Sequence, residues 1–402
     1  MTPRDGAPIV IDTPQSFAAA IADLAAGTGP LAIDTERAQS YRYTARAYLI
    51  QMRRAGAGTR LFDPIALQTG PEPADLSALT RALDGVEWIL HAATQDLPCL
   101  LEVGIVPQHL FDTELAGRLL GYPRVGLATL LEDLLDVHLL KEYSAADWSV
   151  RPLPDSLLAY AALDVDFLAE LKDVLVDKLQ EAGKDEWARQ EFDWLAHWEP
   201  PPPAPLADRW RRLHGLNRVP TRRGLALARE LWNVRDRLAR ERDLAPGRVL
   251  IDAAIVEIAG QAGSGTVRAA SVPGFHRRMA RAYNDQWQAA IDRAMALTDR
   301  QLPSMRGPRP DPPLPRSWQR NQPEAWERWV AVRPLVVDLA ESVTMPTENL
   351  ISPHAIRQLA WAPPTSISEE SVAAMLADAG ARPWQIALVA PAVTPALART
   401  TA

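Results

Sequence analysis

Residues Leu31-Ala-Ile-Asp-Thr-Glu36 form an apolar run that stops abruptly at two carboxylates one residue apart. On a β-strand, positions i and i+2 face the same side, so Asp34 and Glu36 project together from the end of a buried strand. Like charges this close repel, and a cation between them relieves the repulsion. All-oxygen donors of this kind suit Mg²⁺ or Mn²⁺ better than a softer metal. Alone, an Asp-x-Glu triplet is more often a solvated strand end, so its meaning depends on what else the chain supplies.

The composition narrows the possibilities. A chain of 402 residues can form two or three domains that each bury a core. Hydrophobic residues make up 47% and charged residues 23%, the balance of a globular protein in water. The single cysteine, Cys99, excludes an internal disulfide and a cysteine-based zinc cluster and fits a reducing, cytoplasmic setting. No basic segment followed by an apolar one opens the chain, and no run of about 18 apolar residues follows, so neither export nor membrane insertion is expected. The net charge of −7 argues against a nucleic-acid binder, but charge is unevenly spread. Between Leu206 and Leu250 twelve arginines face five acids, a local excess of +7. Such a run is either a solvated helix face or a phosphate-binding surface.

Two proline-rich stretches, Glu199 to Pro205 and Leu302 to Pro315, favour extended backbone and divide the chain into blocks 1–198, 206–300 and 318–402. The first alternates short apolar runs with helical patterns, as an α/β domain does. Strands are expected at Ile9–Ile11, Leu31–Thr35, Ala47–Met52, Arg60–Phe62 and Glu87–His91, the second to fourth as an antiparallel meander. Thr13-Pro14 reads as an N-cap and first helical residue of a helix reaching about Ala26. Further helices are expected near 75–83, 95–103, 113–120, 126–135 and 155–181. The other two blocks read as entirely helical, with Leu227, Leu231, Val234 and Leu238 forming the apolar stripe of a helix over Leu225–Arg242. Pro246, Leu250, Ile251 and Val256 recur as Pro346, Leu350, Ile351 and Ile356, a constant offset of 100, with Asp252 and Ser352 placed as helix N-caps.

Within the first block, more carboxylates stand where the local pattern does not need them. Asp96 follows the strand ending at His91, and Asp164 shares a helical face with Tyr160, four residues earlier. In order and context these residues resemble the ribonuclease D family of DEDD 3′→5′ exonucleases, in the subclass with tyrosine in the third motif. Ile33-Asp34-Thr35-Glu36 matches the first motif, His91 to Asp96 the second and Tyr160-Ala-Ala-Leu-Asp164 the third. Phe111-Asp112-Thr113, Leu120-Gly121-Tyr122 and Lys141 to Leu153 also look like that family.

The resemblance implies a ribonuclease H-like mixed sheet with flanking helices. It implies that Asp34, Glu36, Asp96 and Asp164 hold two divalent metal ions, Mg²⁺ or Mn²⁺, and that Tyr160 orients the attacking water. The implied activity is 3′→5′ exoribonucleolytic trimming of RNA 3′ ends, in tRNA precursors and other small structured RNAs, by a monomer that releases nucleoside 5′-monophosphates. The second block resembles the HRDC domain, a helical module associated with nucleic-acid binding, and the third looks like a diverged second copy. Arg211, Arg212, Arg222 and Arg223 are the candidate RNA contacts. One position departs from the family pattern: Arg37 follows the triplet where an aromatic is usual, leaving open whether Tyr41, Tyr43 or another group stacks on the terminal bases. His91 and Cys99 read as core residues. A DNA 3′→5′ exonuclease and a catalytically lapsed RNA-binding scaffold are the rival readings.

Overall fold

The computed structural model describes residues 2–139, 146–202, 206–263, 267–307 and 310–401. Parts of the Lys141–Leu153 motif and of both proline-rich stretches thus lie outside the described residues.

The first block runs β1 (Ile9–Ile11), α1 (Pro14–Ala26), β2 (Thr28–Arg37), β3 (Ala47–Ala55), β4 (Gly58–Phe62), α2 (Ser77–Ala82), β5 (Glu87–Leu90), α3 (Leu97–Glu102), β6 (His109–Asp112), α4 (Thr113–Leu119), α5 (Leu127–Leu135), α6 (Asp155–Asp166), α7 (Leu168–Glu181) and α8 (Asp185–Ala196). Thr13 caps α1 through a reciprocal bond with Ser16, and Pro14 stands at its first position. The six strands lie in the order β1-β4-β3-β2-β5-β6. β2, β3 and β4 form the antiparallel meander, while β2 pairs with β5, and β5 with β6, in parallel. β2 is therefore interior, and its buried residues Leu31, Ala32 and Ile33 need no alternation of polar and apolar positions.

Three expectations need correction. His109–Asp112 is a strand that the pattern did not flag, because four residues with a polar start give too little periodicity. The helix expected over 155–181 is two helices that break at Phe167. No glycine or proline marks the break; instead Asp166, fully buried, accepts from the Arg4 backbone at 3.0 Å, and the Arg4 guanidinium lies 3.8 Å over the Phe167 ring. Asp252 is not a cap but the first helical residue after Ile251. Its carboxylate accepts from His214 N at 2.8 Å and from Arg235 at 2.5 Å. Ser352 does cap its helix, accepting from His354 N.

The middle block holds α9 (Leu206–Arg209), α10 (Arg222–Arg242), α11 (Pro246–Val249), α12 (Asp252–Gly260), α13 (Arg278–Arg281) and α14 (Asn284–Ala296). The third holds α15 (Trp318–Asn321), α16 (Pro323–Ser342), α17 (Thr347–Leu350), α18 (Pro353–Trp361), α19 (Glu369–Asp378) and α20 (Pro383–Thr401). The helix series α10–α12 thus recurs as α16–α18. The two blocks differ in their cores. Residues of the middle block close on themselves around Trp210, Leu231, Ile255 and Trp287. Those of the third join the apolar core of the sheet, where Val332, Leu350, Val389 and Val393 belong to the same cluster as Leu31, Ile89 and Phe111.

Polar groups fix that junction. The buried Lys184 ammonium, between α7 and α8, donates to Leu119 O and Val343 O at 2.6 Å each. Glu191 on α8 accepts both arms of Arg382, at 2.8 and 2.5 Å, and the Trp384 indole N–H at 2.9 Å. Trp187 and Trp384 stack with ring centroids 4.9 Å apart. Among the described residues no helix is long and apolar enough to cross a membrane.

Candidate active site

β2 delivers Asp34 and Glu36 to one side of the sheet, and α6 crosses that end carrying Tyr160 and Asp164 one turn apart. Oxygens of Asp34, Glu36 and Asp164 lie within 4.8 Å of one another. Asp96, in the turn between β5 and α3, stands beside this trio rather than within it. Its Oδ1 accepts from the Thr35 hydroxyl at 2.5 Å, and the Arg37 guanidinium lies 3.9 Å away.

The cluster is short of positive charge. Burial, then repulsion from Asp96, Asp164 and Glu36, holds the Asp34 carboxyl well above the usual range. Burial, with repulsion from Asp164 and Asp96, raises Glu36 to about 9. Burial raises Asp164 to about 7. For Asp96 burial dominates, and the Thr35 bond and Arg37 hold the value to about 6. The Tyr160 phenol is also pushed up, by burial and by the charges of Asp164, Glu36 and Asp34. Four neighbouring acids, each raised, form a cluster whose repulsion a cation would relieve. The donors are all carboxylate oxygens, which fits Mg²⁺ or Mn²⁺.

Several positioning groups escaped the sequence reading. Gln51 on β3 lies directly across from Asp34 in the antiparallel register and donates to Asp34 Oδ2 at 3.0 Å. It is fully buried, and its Oε1 has no hydrogen-bond partner among the described residues. A polar residue inside the apolar run Ala47–Met52 was the available signal. Arg37 reaches across to the second motif, donating to Gln95 O at 2.6 Å. The register slips between Glu36 and Arg37, where one residue of β3 is skipped, and this slip lies beside the turn of Arg37 toward the second motif. Arg151 anchors the loop before α6, donating to Asp63 at 2.6 and 2.9 Å and to Tyr48 O at 2.7 Å. That loop sets buried Trp148 at 6.4 Å from the Tyr160 ring.

Cys99 is buried and His91 is half-buried. Burial lowers His91 to about 4, so it is neutral, and its Nδ1 meets the Thr113 hydroxyl at 2.9 Å. The Cys99 thiol donates to Asp96 O at 3.1 Å.

The loop following β2 docks on the middle block. Asp243, with a left-handed φ of 45°, ends α10 and accepts from Tyr43 N at 3.1 Å and from Thr44 N and Oγ1 at 3.0 Å each. The Tyr43 hydroxyl donates to Asp236 at 3.0 Å, and the Arg248 guanidinium covers the Tyr41 ring at 4.0 Å. Three of the four candidate RNA-contacting arginines are engaged within the protein. Arg222 donates to Asp299 O, Leu302 O and Pro303 O, Arg223 to Ala294 O at 3.1 Å, and Arg211 to Ser304 O at 3.1 Å. Arg212 is exposed.

Residues 8–180 match a family model described as a 3′–5′ exonuclease, residues 224–291 an HRDC domain, and residues 311–397 a 3′ to 5′ exonuclease C-terminal domain. Ribonuclease D of Gluconacetobacter diazotrophicus is 31% identical over 297 residues, covering 71% of this chain and 72% of that protein. A crystal structure of a protein from Bifidobacterium adolescentis superposes with a TM-score of 0.86 at 37% identity, covering 99% of this chain and 98% of that one. Escherichia coli RNase D, described as an exoribonuclease involved in structured RNA processing, gives a TM-score of 0.64 at 25% identity, covering 97% of this chain and 98% of that one.

Proposed function

The chain belongs to the ribonuclease D family and is a 3′→5′ exoribonuclease, and from that premise we propose that hydrolysis takes place at the carboxylates gathered by β2 and α6. In this reading Asp34, Glu36, Asp96 and Asp164 hold two divalent cations, Mg²⁺ or Mn²⁺. The observation that carries it is the mutually repelling Asp34–Glu36–Asp164 group, whose oxygens lie within 4.8 Å. Bound cations supply the neutralising charge and the Lewis acidity that phosphodiester hydrolysis needs.

The chain's own residues do the positioning. Gln51 orients Asp34, and Thr35 with Arg37 fixes Asp96. Tyr160, raised above the ordinary phenol value, keeps its proton and acts as a hydrogen-bond donor that orients water or phosphate, not as a base. Nucleoside 5′-monophosphates leave one at a time. The substrates are tRNA precursors and other small structured RNAs, in keeping with the structured-RNA role in the description of the Escherichia coli relative. The chain divides into a nuclease at 1–198 and helical domains at 206–300 and 318–402, the last sharing its core with the nuclease, in the reducing cytoplasm that its single buried cysteine suits.

Digestion of matched 3′-tailed RNA and DNA with Mg²⁺, Mn²⁺ or EDTA tests this. Stepwise loss of RNA length with a divalent ion, its absence in EDTA and its abolition by Asp34→Asn are expected. An Asp34→Asn protein that trims RNA at the wild-type rate overturns the site assignment, and faster trimming of DNA overturns the substrate.

A further inference from the structure

An acidic active site needs positive charge elsewhere to hold a polyanion, and the basic stretch at 206–250 is largely committed. Besides Arg211, Arg222 and Arg223, Arg229 pairs with Glu230, Arg235 with Asp252, Arg237 with Glu241 and Arg240 with Asp236. These arginines hold the middle block together.

The adjoining stretch differs. Between Glu257 and Asp285 the chain has four arginines and no acid. Three of them, Arg277, Arg278 and Arg281, are exposed in and just before α13, and among the described residues none has a side-chain hydrogen bond or ion pair. α13 packs on α11, and α11 is seated on the loop that leaves β2 just after Glu36. Ala245 N donates to Tyr41 O at 3.0 Å, and Arg248 Nε donates to Ser40 O at 2.9 Å. Gly247, between them, faces open space, since a Cβ there meets nothing within 4 Å. Exposed Gly247 and Arg248 on α11, which touches both the loop beside the carboxylates and α13, thus stand between that loop and three exposed guanidinium groups without a side-chain partner among the described residues.

We propose that Arg277, Arg278 and Arg281 form the track that grips the phosphates of the RNA upstream of the 3′ end being removed. The inference rests on the RNA-trimming reading above and adds where the rest of the substrate lies. Contacts to phosphate carry no sequence information, which suits an enzyme whose terminal nucleotide changes at every turnover.

The test measures binding in EDTA, so that it is independent of hydrolysis, by fluorescence anisotropy of a long unstructured single-stranded RNA and of a trinucleotide. The proteins are the wild type, Arg277→Ala/Arg278→Ala/Arg281→Ala and the corresponding triple lysine variant. The alanine variant is expected to bind the long RNA about ten-fold more weakly, with the slope of log affinity against log salt reduced by about 2, from roughly 0.7 per lost phosphate contact on a single strand. Trinucleotide binding and its Mg²⁺-dependent hydrolysis are expected to be unchanged, and the lysine variant to keep most of the affinity. Unchanged affinity and salt slope for the long RNA, equal loss for the trinucleotide, or an alanine variant impaired only toward an acidic polypeptide overturns the proposal. If the wild type binds RNA through these arginines but does not shorten it with Mg²⁺, the exonuclease reading fails and the track stands.

Discussion

Replacing Asp34 by asparagine is expected to make the metal-free protein more stable while abolishing its activity. The introduced amide keeps a side-chain oxygen to accept from Gln51, so the local hydrogen bond survives. What the substitution removes is a negative charge packed among Asp96, Asp164 and Glu36. Unit charges 4.8 Å apart repel by about 3 kcal/mol at an effective dielectric of about 20, which sets the scale of the relief from one neighbour. The pH dependence has a defined sign. Asp96, Asp164 and Glu36 have folded values raised to about 6, 7 and 9, so their protonated forms favour the fold. That contribution is fully present below about pH 4 and is lost as pH rises through those three values. For Asp164 alone the shift from 3.8 to about 7 corresponds to about 4 kcal/mol.

Thermal unfolding followed by circular dichroism in EDTA reads this directly. At pH 8 the Asp34→Asn protein is expected to melt about 5 °C above the wild type, and at pH 5, where the cluster is protonated, the gap should close. Excess Mg²⁺ at pH 8 should reverse the order, because only the wild type gains its full ligation energy. A variant that melts at or below the wild type in EDTA at pH 8, or a gap as large at pH 5, refutes the reasoning.

Gln51→Leu keeps the volume but removes the donor to Asp34, and titration calorimetry should show Mg²⁺ affinity weakened about 10- to 100-fold with little change in far-UV signal. Tyr160→Phe should lower kcat about a hundred-fold while KM for RNA stays near the wild-type value, since only the hydroxyl's bond to the reacting groups is lost. Glu191→Ala strands the Arg382 guanidinium and the Trp384 indole in the junction of α8 and the third block, and urea unfolding should show a loss of about 3–5 kcal/mol. Asp243→Ala removes three hydrogen bonds to Tyr43 and Thr44 and places alanine at a left-handed φ of 45°. It should cost about 2 kcal/mol in the same assay, and Asp243→Asn, which tolerates that backbone, should cost less.

The nuclease fold was legible because its clustered carboxylates stand against the local pattern. Asp34 and Glu36 end an apolar strand, and Asp164 follows Tyr160 on an alanine-rich helix, so each stands out as an exception. Features without such contrast were not visible. β6 is too short to show a period, and the break at Phe167 coincides with contacts from Arg4, more than 160 residues away in the chain. Arg222 and Arg223 count as surplus positive charge in a sequence, whereas in the fold their donors point at the carbonyls that close α14 and the segment after it. Net charge over a window records which side chains are ionised. It does not record which already have partners.

The sharing of one core between the sheet and α16–α20 also bears on the timing of synthesis. Glu191 finds Arg382 191 residues downstream, so the nuclease half does not acquire the apolar neighbours it shares with the third block until α16–α20 have been made. The middle block, closed on its own core, can fold while it waits. During translation the first half is therefore held short of its finished packing.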